Sequence, residues 1–431
     1  MGSLGEMTEH DDRRREYPAP SWSPRPPATV YRTRARRRRE AFLATTLSLV
    51  ALVVLAGLGG LVWYVIGTVD GGDESTEATP ADSEVSAAVV VDYQIEPLVD
   101  LVALRDAAYV PVKAFHVTSD KANDKASMGR IMDLIDRTEI NSLVIEVKDE
   151  YGRVAFDSNA PMAVEFDTVK PIIWGGDLDA LINTLTERGI TPIARVVCFK
   201  DNRFTQKRPD LALLDENTRR PWEDYKGNRY LNPYKHETWE YIVQVAEDAA
   251  KRGFREIQFD YVRFPDGASG DLSTISYPGQ YGTKEEAIAG FLAYAKPRLE
   301  ALGVWVSADV FGWIMEDGVV SGIGQDFDMM SRNLDLVCPM VYPDHYPLGY
   351  GGIAYPPAQP YKTISRALRN APEMVDGIGV KCRPYLQAHT DIQAQHIKYT
   401  AELVKEEIRA AADLGIDEYV LWAGYPDLGS E

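Results

Sequence analysis

Residues 256–265 read EIQFDYVRFP, and the way this stretch alternates decides the fold. Ile257, Phe259 and Tyr261 alternate with Gln258, Asp260 and Val262, so the two-residue period of a strand puts apolar side chains on one face and Gln258 and Asp260 on the other. A carboxylate on the inner face of a strand is expensive unless it is paired, hydrogen-bonded or set at an open mouth. Arg263 and Asp266, just downstream, are the candidate partners of Asp260.

Seven more apolar runs resemble this one, over residues 112–119, 142–150, 191–200, 304–312, 335–343, 380–389 and 418–425. Helix-like stretches lie between them, among them 177–188, 236–252, 284–302, 362–370 and 391–414. Gly189, Gly253, Gly303 and Gly415 suit helix stops, and Asn232 followed by Pro233 reads as an N-cap and first turn. Eight strand and helix units over roughly 320 residues predict an α/β fold of the (β/α)8 TIM barrel class. A doubly wound open sheet is the alternative, but the segment after the first strand, DKANDKASMG (120–129), lacks the Gly-rich turn such a sheet carries there.

The chain ahead of the barrel differs in character. Residues 1–40 are rich in Pro and Arg, close on Arg36–Arg39, and read as a disordered basic tail. Residues 41–66 are almost wholly apolar and long enough to cross a bilayer as a single transmembrane helix. A cleaved signal peptide is the rival reading, but the run is longer than a usual signal core and no A-x-A site follows at once. Basic residues before the span place the N-terminus in the cytoplasm and the rest outside, so the expectation is a single-pass cell-membrane protein with the lipid bilayer as a partner through residues 41–66. Residues 67–105 form an acidic extracytoplasmic linker, and 106–431 the barrel.

Charge narrows the partners. Residues 1–40 hold ten of the 46 basic and six of the 65 acidic side chains, which leaves 36 against 59 beyond them, a formal charge of about −23. Such a surface is a poor binder of nucleic acid or of anionic polymers, whereas a neutral or cationic partner is acceptable. Cys198, Cys338 and Cys382 have neither zinc nor disulfide spacing and read as small buried hydrophobes.

In a barrel of this class the chemistry lies at the C-terminal ends of the strands. On strand five, Val304, Val306, Ala308 and Val310 share one face and Trp305, Ser307 and Asp309 the other, so Asp309 points inward. Glu146 does the same on strand two, because Leu143, Ile145 and Val147 take the outer face. Glu146, Asp260 and Asp309 therefore converge on one mouth, where like charges raise at least one pKa. One protonated and one ionised carboxyl flanking a bond is what glycoside cleavage requires. The purely structural alternative for Glu146 is a salt bridge to Lys148, Arg195 or Arg263.

Further strand-end groups form the candidate substrate site: His116, Lys148, Arg195, Arg263, Trp313, Tyr342, Asp344, His345, Gln387 and Trp422. Aromatic rings there can pack on the C–H faces of sugars, although core packing explains any one of them equally well. His116 and His345 fit a core or rim role as well as a catalytic one. The segments 201–231 and 266–283 are long enough to wall a cleft.

The run LNPYKHETWEYIVQVAEDAAKRGFREIQFDYVRFPDG, with VKAFHVTS before it and WVSADVFGW and CPMVYPDHY after it, resembles a glycoside hydrolase domain family of unknown function. The resemblance spans about residues 111–425. It implies a TIM barrel distantly similar to the amylase-type glycosidases, in which a catalytic aspartate ends strand four; carried over, Asp260 takes that role. The amylase-like acid is a glutamate on strand five, where this chain has Asp309, so Glu146 stays a rival for the acid.

The expected function is thus a membrane-anchored extracytoplasmic glycoside hydrolase acting on a cell-wall or extracellular polysaccharide. The alternative is a non-catalytic carbohydrate-binding or cell-wall scaffold protein on the same barrel. No cofactor or metal is implied; a metal-dependent deacetylase would need His116, Asp344 and His345 gathered by folding.

Overall fold

A computed structural model describes residues 101–424. The apolar run 41–66, the tail before it and most of the linker lie outside the described residues, as does Tyr425 at the expected end of strand eight. Among the described residues no helix is long and apolar enough to cross a membrane.

Eight parallel strands close into a barrel: β1 (Lys113–Val117), β2 (Ser142–Lys148), β3 (Thr191–Val197), β4 (Glu256–Asp260), β5 (Trp305–Phe311), β6 (Leu336–Met340), β7 (Tyr385–Gln387) and β8 (Tyr419–Trp422). Pairing runs in chain order, and β8 returns to β1 through Lys113 beside Tyr419, so the sheet has no free edge. Helices α1 (Lys125–Arg137), α2 (Leu178–Glu187), α3 (His236–Lys251), α4 (Lys284–Glu300), α5 (Phe327–Met330), α6 (Pro360–Ala367) and α7 (Ala401–Ala412) fill the crossovers.

Alternation along each strand separates two cores. Leu143, Ile145, Val147, Ile257, Phe259, Val306 and Ala308 face the helices, where Phe259 meets Phe291 of α4 edge-on at 5.1 Å. Ala114, Val144, Ile193, Cys338, Tyr385 and Val420 pack together inside the barrel. Below this layer lies a charged floor. The fully buried Arg383 donates to both Glu256 oxygens at 2.8 and 2.9 Å and to Glu418 Oε2 at 2.9 Å, and Ser307 Oγ donates to Glu256 Oε1 at 2.6 Å. A short helix, Leu101–Ala107, lies at this N-terminal end, where Arg105 Nη1 donates to the Val304 carbonyl at 3.1 Å. The catalytic candidates form the top layer of the same barrel.

Three local expectations are corrected. The strand of EIQFDYVRFP stops at Asp260, because Tyr261 takes φ +46°, a left-handed conformation that a bulky residue rarely adopts. Helix α3 begins at His236, with Lys235 in the N-cap position and no side-chain capping bond; Asn232 instead makes a local turn, its Oδ1 accepting from Tyr234 N at 3.0 Å. Helix α7 covers only Ala401–Ala412, since residues 391–400 form an irregular loop on the mouth. The glycine stops hold: Gly189, Gly253, Gly303 and Gly415 all have positive φ.

Candidate active site

The top layer is organised by Arg195 on β3. Register places Arg195 beside Glu146 on β2, and continuing the β4–β5 pairing past Phe259 and Ala308 brings Asp260 next to Asp309. From the centre, Arg195 Nη1 donates to Glu146 Oε1 and Nη2 to Asp260 Oδ2, and Nε lies 3.9 Å from Asp309 Oδ2. One guanidinium thus faces all three predicted carboxylates. A planar fork of donors suits this task, which the point charge of a lysine would not.

The three acids differ in environment. Both Asp260 oxygens accept from N–H groups, Oδ2 from Arg195 and Oδ1 from the Tyr261 amide, the arrangement a carboxylate takes. Asp309 is 2% exposed, and among the described residues its Oδ1 has no hydrogen-bond partner. Burial, and then the neighbouring Asp260, push its pKa well above the carboxylate range, against the opposing pull of Arg195. Burial likewise raises Glu146 to about 7, Arg195 working against it and Asp149 and Glu150 with it. Two carboxyls inclined to hold a proton beside one held by N–H donors is the division of labour that acid–base chemistry needs.

The other predicted groups fall into three sets. His116 is buried on β1 and its Nε2 has no hydrogen-bond partner among the described residues; burial, with Arg195 and Lys121, holds it well below the usual imidazole pKa. Tyr342 and Trp422 pack at 4.8 Å, and the Trp422 ring also meets His389 edge-on at 4.8 Å. Asp344 Oδ2 lies 2.9 Å from His389 Nε2, and Gln387 Oε1 accepts from the Asp344 amide at 3.1 Å. His345 is a rim residue, its ring edge-on to Tyr342 at 4.9 Å. Trp313 joins an aromatic wall after β5 with Tyr346 and Tyr350, at 5.2 and 5.5 Å.

Two assignments are corrected. Lys148 is fully buried outside the mouth: a register shift between Glu146 and Lys148 turns it toward Asp201 at 2.8 Å and the Val197 carbonyl at 2.8 Å. Arg263 is not the principal partner of Asp260. Its guanidinium pairs with Asp266 at 3.0 Å and lies 4.8 Å from the Tyr261 and Phe311 rings, because the turn at Tyr261 carries the chain away from the strand direction.

Tyr261 and Glu150 are functional candidates that alternation along the strands does not show. Tyr261 counts onto the outer face, yet its left-handed backbone brings its hydroxyl to Glu150 Oε2 at 3.1 Å, with Lys200 Nζ 2.7 Å from the same carboxylate oxygen. Strain of this kind gathers at functional sites. A cavity of about 250 Å³ opens beside them between the loops after β1 and β2, lined by Thr118, Asp120, Glu146, Glu150, Tyr151 and Arg153. A larger groove of about 700 Å³ runs between the segments after β3 and β4 and includes none of the three central carboxylates. Leu214–Asp215 and Ile275–Ser276 pair antiparallel there, tying the two segments into one wall. Among the described residues no group of three or more His, Cys, Asp or Glu side chains is placed to hold a metal ion, so His116, Asp344 and His345 do not form a ligand set.

Among solved structures, the chain is similar to the PgaB (BpsB) glycoside hydrolase domain of Bordetella bronchiseptica, at 16% identity and TM-score 0.53, covering 74% of this chain and 94% of that one. That likeness supports the barrel fold. A hypothetical protein from Ruminiclostridium thermocellum shares 35% identity over 46% of this chain and 97% of its own, with TM-score 0.41. An endo-1,4-β-D-mannanase from Thermotoga petrophila shares 12% identity over 74% of this chain and 90% of its own, with TM-score 0.47. No curated relative matches. A family described as "Putative glycosyl hydrolase domain" matches residues 114–426, the whole barrel with its mouth. The chain belongs to this glycosyl hydrolase domain family.

Proposed function

We propose that the protein is a membrane-anchored, extracytoplasmic glycoside hydrolase that cleaves a cell-wall or extracellular polysaccharide with two carboxyl groups. Asp260 is the nucleophile or the base, the carboxyl separation fixing which, and Asp309 is the general acid that protonates the leaving oxygen. The observation that carries this reading is the Arg195 guanidinium, bonded to Asp260 and Glu146 and 3.9 Å from Asp309, with an Asp309 oxygen beside it that has no hydrogen-bond partner among the described residues. His116, Tyr342, Asp344, Gln387 and Trp422 supply polar and aromatic contacts for the sugar. Anchoring rests on the apolar run 41–66 and the Arg run before it.

A second assignment of the acid is favoured by one observation: Glu146 lines the 250 Å³ cavity and has a pKa near 7, where a general acid for neutral pH belongs. The pH profile of kcat/KM separates the two. If Glu146 is the acid, Glu146→Gln removes the loss of activity above pH ~7 together with most of the rate; if Asp309 is the acid, Asp309→Asn removes most of the rate and the alkaline loss of activity, and Glu146→Gln leaves that loss in place. A non-catalytic glycan-binding barrel is the remaining reading, favoured by the same ion pairs, since Arg195 partly neutralises the carboxylates. Incubating the purified protein with cell-wall and extracellular glycans tests it: binding without any product establishes the scaffold and overturns the enzyme.

A further inference from the structure

The groove between the segments after β3 and β4 is joined to the carboxylate mouth by the backbone. Tyr151, which lines the smaller cavity with Glu146, has its carbonyl accepting from Asn202 N at 3.2 Å and Arg203 N at 3.1 Å. Asn202 Oδ1 in turn accepts from Arg229 N at 2.6 Å, and the side chain of Arg229 lines the larger groove. Two exposed tyrosines mark the path, Tyr151 at the mouth end with 55% exposure and Tyr225 at the groove end with 57%. Lys226 lies 5.6 Å from the Tyr225 ring, at the groove end of this path. Aromatic surface left this open in water is the kind that stacks on sugar rings.

The groove's three acids already have bonding partners. Glu223 takes Arg229 at 2.7 Å; Asp215 accepts from the Asn217 and Thr218 amides of its own turn at 3.1 and 2.7 Å; Asp271 accepts from the Ser273 amide and hydroxyl at 3.0 and 2.6 Å. Three acids offset by local bonds, with two arginines in the same lining, favour an uncharged ligand over an anionic or strongly cationic one.

We propose that this groove is a distal glycan-binding site, and that one extended, uncharged polysaccharide chain runs from the Glu146 cavity across Tyr151 and Tyr225 into it. The inference rests on the glycoside hydrolase reading for its biological sense, but its binding test does not need turnover. Long chains engage both ends; fragments of two or three sugars engage the mouth alone.

The test uses the full-length chain, wild type and Tyr225→Ala, a substitution at an exposed side chain. Retardation in native gels containing mannan, mixed-linkage β-glucan or dextran reads binding without catalysis. The expected result is retardation by at least one polymer, weakened roughly 5- to 10-fold in Tyr225→Ala, as expected for loss of one aromatic stacking contact. Equal retardation of both proteins, or none by any of the three polymers, overturns the proposal. On a polymer that is hydrolysed, Tyr225→Ala lowers kcat/KM by a similar factor and leaves that of its trisaccharide unchanged; an equal loss on both substrates overturns it. Absence of hydrolysis by the wild type, with polymer retardation retained, counts against the catalytic reading alone.

Discussion

Arg195 holds the electrostatics of the mouth, and Glu146 shows the consequence most clearly. Its carboxyl binds a proton with a pKa of about 7 in the folded chain against about 4.3 when exposed, so the folded state holds more protons between these values. Stability linked to Glu146 is therefore fully present below pH ~4.3 and is lost as pH rises through 7, by up to about 4 kcal/mol. Urea unfolding at pH 5 and pH 8 should show wild type losing stability relative to Glu146→Gln; parallel behaviour of the two proteins would remove burial as the cause. Part of this layer is legible in the sequence. The inward direction of Glu146, Asp260 and Asp309 follows from counting along strands, whereas the identity of Arg195 as their common partner depends on the register between strands that lie far apart in the chain.

At the scale of elements, two devices hold the loops that carry the site. Gly152 sits at φ +85° in the turn after β2, and a Cβ there would lie 1.8 Å from Asp201 Oδ1, the carboxylate paired with buried Lys148. Gly152→Ala should destabilise the protein by about 2–3 kcal/mol in denaturant unfolding and lower activity through the displaced Glu150 loop. Helix α4 starts in a capping box, Thr283 Oγ1 accepting from Glu286 N at 3.1 Å and Glu286 Oε2 from Thr283 N at 2.8 Å. Thr283→Ala should cost about 1 kcal/mol in the same measurement and leave kcat unchanged, since α4 packs on the outer face of β4. Element boundaries were the less legible part of the fold. The strand of EIQFDYVRFP ends at Asp260 because Tyr261 adopts a strained backbone, and no residue type there announces it. Lys148 left the mouth through a bulge for a similar reason: one inserted residue reverses every direction that alternation predicts.

Across the whole molecule, barrel closure depends on a charged floor as well as on an apolar core. Arg383 is fully buried between Glu256 and Glu418, and Arg383→Met should lower stability by about 3–5 kcal/mol by stranding two buried carboxylates, with the folded fraction keeping its activity per molecule. Thermal unfolding together with active-site titration reads both effects. The eight-strand count was legible because each strand carries a buried face toward the helices and a polar tip at one end. Tip and floor differ in kind: the floor charges of Arg383, Glu256 and Glu418 are bonded to one another, while the tip leaves His116 Nε2, Asp309 Oδ1 and Asp344 Oδ1 without hydrogen-bond partners among the described residues. Unpartnered polar atoms at one end of a closed barrel are where a polar ligand is expected to bind.

Asp260 concentrates the account in one side chain. The measurement is hydrolysis of cell-wall and extracellular glycans by wild type and by Asp260→Asn, with thermal unfolding of both. The account predicts product from wild type, a rate at least 10³-fold lower for Asp260→Asn, and a melting temperature within a few degrees of wild type. Undiminished hydrolysis by folded Asp260→Asn would contradict it.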